Sequence, residues 1–113
     1  MKLDPEELAK MYDALSKRPV FRRWIMPPRR EMVFRITHDK NKKGYFRRLT
    51  RGYVIAISEQ HHNTAKEVEV TMAHEMIHAY LEMVRPDAKP HGHEFQSLAY
   101  EICKSAGYDW GTF

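Results

Sequence analysis

One stretch limits the fold more than any other: the twenty residues from Ala65 to Val84 are apolar on nearly every side, yet they enclose the run His74-Glu75-Met76-Ile77-His78. Thr64 and Glu67 have the spacing of a capping box and Arg85-Pro86 is a stop, so the pattern predicts one helix over Ala65–Val84. Val68, Val70, Met72, Ala73, Met76, Ile77, Ala79, Tyr80, Leu81, Met83 and Val84 lie nearly all round it, as in a helix that runs through the middle of a domain. A chain of 113 residues is the size of one such core, so residues 1–113 read as a single domain built around this helix.

The remaining segments supply what wraps it. Asp4 caps a first helix, with Pro5 at its first position, Glu7 completing an Asp-x-x-Glu box, and Leu8, Met11, Tyr12 and Leu15 at helical spacing to about Lys17. Phe21, Trp24 and Ile25 suggest a short turn between prolines. Met32–Thr37, Tyr45–Leu49 and Tyr53–Ser58 read as strands, with a polar turn at Asp39–Gly44. Phe95, Leu98, Ala99, Ile102 and Cys103 mark an amphipathic closing helix that stops at Gly107. The expected class is α+β, with a small antiparallel sheet of about three strands.

The chemistry lies in the buried helix. Residues four apart share a helix face, so His74 and His78 can reach one tetrahedral ion, and Glu75 stands about 100° round the axis on the rim of that face. This places Glu75 to take a proton from a metal-bound water, as the general base of a zinc peptidase. Two histidines and a glutamate in an apolar helix are costly without such a partner, which argues against mere core packing. A catalytic zinc needs a third protein ligand and one open position. By geometry His91, held between Pro90 and Gly92, competes with His93 for that place, and Glu94 and Glu101 offer a carboxylate instead. The lone Cys103 excludes a cysteine-based zinc ribbon and an internal disulfide.

Charge is segregated. The first 60 residues carry 15 Lys+Arg against 7 Asp+Glu, and the remaining 53 carry 4 against 8. The segment 17–51 is densest, with 13 against 2. Such asymmetry points to an anionic partner. Arg22, Arg23, Arg29, Arg30, Lys42, Lys43, Arg47 and Arg48 are the candidates for phosphate contacts, and Trp24, Tyr45 and Phe46 for base stacking. No apolar run reaches a membrane span and the first residues lack a signal-peptide stretch, so a soluble cytoplasmic monomer is expected, or a nuclear one in a eukaryote.

His74-Glu75-Met76-Ile77-His78-Ala79 followed by His91-Gly92-His93-Glu94-Phe95 resembles the SprT-like (SprT/Spartan) metallopeptidase domain, whose pattern is an HExxH helix and then a His-Gly-x-x-aromatic segment. The resemblance covers roughly residues 30–107 and implies a zincin-like fold. It also implies zinc on His74, His78 and His91 (a metal site within 74–91), Glu75 as general base, and DNA-bound or DNA-crosslinked proteins as substrate, with single-stranded DNA favoured. The chain lacks the C-terminal zinc ribbon of many relatives and so resembles a minimal catalytic domain. Two further expectations attach to this reading. Strand Tyr53–Ser58 would pair with an extended substrate along its edge, and His93, Tyr80 or Tyr108 would stabilise the transition state. The competing function is a nucleic-acid-binding protein whose zinc is structural, which a fourth ligand from His93 would favour.

Overall fold

A computed structural model describes residues 2–113. Three helices and a three-stranded sheet account for most of it: α1 (Pro5–Ser16), β1 (Met32–Thr37), β2 (Gly44–Arg48), β3 (Tyr53–Ser58), α2 (Ala65–Val84) and α3 (His93–Ala106). Single 3-10 turns precede β1 and α2 and close the chain at Trp110–Thr112. The class is α+β, as the patterning predicts.

The helix ends follow their caps. The Asp4 carboxylate accepts from the Glu6 and Glu7 amides, while Thr64 and Glu67 complete both halves of a capping box. Gly107 ends α3 in the left-handed region at φ 74°, where a Cβ would be unfavourable. α2 is the hub: Val68, Met72, Ala73, Met76 and Ile77 are buried in one cluster with Leu8, Tyr12 and Leu15 of α1. Phe34, Ile55 and Ile57 of the sheet and Phe95, Ala99 and Ile102 of α3 join the same cluster.

The sheet is mixed rather than antiparallel. β3 lies in the middle, parallel to β1 and antiparallel to β2. The reason lies in the polar connection between β1 and β2, which arches over the end of β3 instead of forming a hairpin. Asp39 accepts from the Asn41 and Lys42 amides, and the Ser58 hydroxyl and amide donate to the Asp39 and Lys43 carbonyls. The tight connection is instead between β2 and β3, where Leu49 N donates to Gly52 O and Gly52 takes φ 90°. Val54 through Ser58 are consequently all buried. Strand Tyr53–Ser58 has both edges paired and cannot receive a substrate strand; the free edge beside α2 belongs to β2.

Gly44 lets β2 lie close to the β3 backbone, with α2 also near. A Cβ there would stand 2.5 Å from the Ala56 carbonyl oxygen and 3.2 Å from Thr71 Cγ2. No helix among the described residues is long and apolar enough to cross a membrane.

Candidate metal centre

α2 carries His74 and His78 one turn apart, and the loop Arg85–Gly92 returns His91 to face them. The ligand-capable nitrogens of the three residues all lie within 4.8 Å of one another. His74 Nε2 and His91 Nε2 face each other at 3.3 Å. Two imidazole nitrogens on one tetrahedral zinc, each at about 2.0–2.1 Å, stand about 3.3 Å apart, so the donor set fits that ion. His93, by contrast, opens α3 as an exposed residue and is outside the cluster, as are Glu94 and Glu101.

Two features hold the imidazoles in place. His74 Nδ1–H donates to the main-chain oxygen of Phe113 at 2.8 Å, which fixes the tautomer and leaves the Nε2 lone pair facing the other histidines. Phe95, only 3% exposed, sits among all three rings, with centroids 4.8 Å from His74, 4.7 Å from His78 and 4.8 Å from His91. Burial keeps His74 below its ordinary pKa and pushes His78 down to about 4, so both are neutral, the form that binds metal.

Glu75 is 5% exposed and lines the same cleft. Burial pushes its carboxyl up to about 8. A dication held by the neighbouring imidazoles acts in the opposite direction, favouring the carboxylate. The cleft has a volume of about 860 Å³ and runs from Lys42 and Lys43 and the start of β2 past the three histidines to Leu81–Lys89. His61 also lines it, with a buried Nε2 that has no partner. None of His93, Tyr80 or Tyr108 does. Tyr80 stacks on Trp24 at 4.5 Å, and the Tyr108 hydroxyl donates to Glu69.

The eight basic candidates are all exposed and come from several separate elements. Arg22 and Arg23 lie on the turns after α1, Arg29 and Arg30 on the 3-10 turn before β1, and Lys42 and Lys43 on the cleft rim. Arg47 and Arg48 are successive strand residues and point to opposite faces. Arg29 is engaged by Asp13 at 3.0 Å. Trp24 and Phe46 are packing residues rather than stacking platforms: Trp24 lies between Tyr80 and Phe21, and Phe46 stacks on Tyr53.

Phe95 and the Phe113 oxygen were not legible as parts of the centre. The aromatic position after His-Gly-x-x was the only signal for Phe95, and a main-chain acceptor leaves no signal in side-chain identity.

Fold and site together define an α+β domain whose central helix presents a three-histidine cluster able to hold a metal ion. The SprT-like family profile matches residues 9–110, nearly the whole chain, and the protein belongs to that family. Neither a curated protein nor a solved structure gives a significant match.

Proposed function

We propose that the protein is a zinc-dependent endopeptidase acting on proteins bound or crosslinked to DNA. The observation that carries the peptidase reading is the convergence of His74, His78 and His91 beside buried Glu75 in one open cleft. Zinc, when bound, supplies Lewis acidity that polarises the scissile carbonyl and acidifies the attacking water. The Glu75 carboxylate takes the proton of that water and passes it to the departing amine nitrogen. Burial raises the proton affinity of Glu75 and a dication on the imidazoles would lower it, and the balance of the two sets its strength as a base. The free edge of β2, which borders the cleft from Gly44 to Phe46, can hold an extended peptide by main-chain pairing.

DNA as the partner rests on family membership and on the uneven charge. A binding module with a closed structural zinc is less well supported, since His93 stands outside the histidine cluster. The test is cleavage of a DNA-binding protein with and without single-stranded DNA, comparing wild type with Glu75→Gln. Cleavage stimulated by DNA and reduced about 10²–10⁴-fold in the variant is expected. Zinc-loaded wild type that binds DNA but cuts nothing would refute the peptidase reading.

A further inference from the structure

Both helices that touch the sheet pack on the face of Phe34 and Ile55. The opposite face lies outside the main core cluster. Its register is defined by the pairing: Arg35, Ala56 and Tyr45 form one row across the three strands, and Val33, Val54 and Arg47 form the next. Arg35 and Arg47 thus occupy diagonal corners, with Tyr45 and Val33 at the other two. None of the three strands contains an Asp or Glu.

Ala56 and Val54 are completely buried although no helix covers them. Arg35, Arg47 and Tyr45 have side chains long enough to reach across them, and the Arg47 guanidinium lies 4.3 Å above the Tyr45 ring. Arg35 and Arg47 have no acidic partner among the described residues. Val33 is 40% exposed, unusual for a strand valine flanked by a packed core. The surface is therefore flat, cationic at two corners, aromatic at a third and free of negative charge.

Resting on the nucleic-acid reading above, we propose that this outward sheet face is the platform on which single-stranded DNA lies, with Arg35 and Arg47 on phosphates and Tyr45 under a base. Strand spacing puts the two arginine Cα atoms about 12 Å apart, a span of three or so stacked nucleotides. Unpaired bases stack on an aromatic or guanidinium plane without sequence preference, whereas a duplex keeps its base faces hidden. Tyr45 also lines the cleft, so a strand on this face would run directly beside the edge that receives peptide. Arg22 and Arg23, on the turns after α1, belong to none of the three strands, although the charge run alone would have ranked them equally.

The test is fluorescence anisotropy of a labelled oligothymidylate of about 12 nucleotides over a salt series. Wild type, Arg35→Gln/Arg47→Gln, Tyr45→Ala and Arg22→Gln/Arg23→Gln are compared after their folding is verified by circular dichroism. The sheet double variant is expected to flatten the slope of log K against log salt by about 1.4, and Tyr45→Ala to weaken binding about tenfold, with the Arg22/Arg23 pair close to wild type. Wild-type slope and affinity in the sheet variants, with loss in the Arg22/Arg23 pair, would overturn the assignment. Equal displacement of the probe by duplex DNA or polyglutamate would overturn the single-strand specificity. Cleavage of casein by wild type without DNA, set against Glu75→Gln, reports the peptidase separately, so failure of the platform and failure of the enzyme are distinguishable.

Discussion

Phe95→Leu separates the packing of this domain from the pre-organisation of its histidines. Leucine keeps the site apolar and nearly filled, so the fold should lose only about 1 kcal/mol, a fall in Tm of about 4 °C for the metal-free protein. The loss at the cluster should be larger in proportion. Phe95 meets all three imidazoles at 4.7–4.8 Å, and each such contact restricts a ring that must otherwise be ordered when the ion binds. Supporting contacts of this kind are worth about 10- to 100-fold in metal affinity, or roughly 1.4–2.8 kcal/mol. Competition against a chromogenic chelator measures the affinity, and calorimetry of metal-free and loaded protein measures the stability. A zinc affinity within about twofold of wild type, alongside the expected fall in metal-free Tm, would show that Phe95 only fills space, and would refute the reasoning.

Three further outcomes follow from the geometry. His91→Ala should weaken zinc binding by more than about a hundredfold, whereas His93→Ala should leave it nearly intact; equal losses would contradict the three-histidine assignment. Gly44→Ala drives a Cβ to within 2.5 Å of the Ala56 carbonyl oxygen, and should cost about 1–3 kcal/mol in denaturant unfolding as β2 shifts against β3. His62 is buried, with Nδ1–H donating to the Ser58 carbonyl and Nε2 accepting from the Thr71 hydroxyl. Burial lowers its pKa beneath the ordinary 6.5, as it does for His74 and His78, so the unfolded chain binds the extra protons. The metal-free protein should keep this contribution above pH 6.5 and lose stability as the pH falls below it, and His62→Gln should make that decline shallower.

What could be read without coordinates followed from local rules. The span of α2 was legible because its cap, its stop and its apolar surround all agree, and the spacing of His74 and His78 then set two of the three imidazoles. β3 also declared its position, though by a cue easily misread: Val54-Ile55-Ala56-Ile57 is a continuous apolar run, which marks a strand buried on both faces, while a half-exposed strand alternates. Reading it as an edge assumed that consecutive strands pair, and Ser58 defeats that assumption by anchoring the β1–β2 loop across its end. Spacing alone left His91 and His93 open because it does not encode the loop conformation, and the resemblance pointed to His91, the residue found in the cluster. The basic run from 17 to 51 does not by itself define one surface, because strands send neighbours such as Arg47 and Arg48 to opposite sides.

The order β1-β3-β2 also governs how the molecule can be divided. A fragment ending at Gly52 would contain two strands that are not neighbours and no third to join them. One beginning at Tyr53 would retain α2 but lose the helix and strand that cover its apolar side. The exposed connection between α2 and α3 is no better a breakpoint, since it carries His91. Complementation by split halves, or insertion of a second domain, is therefore best attempted at the Asn41–Lys43 arch, where the chain is exposed and neither paired strand is cut.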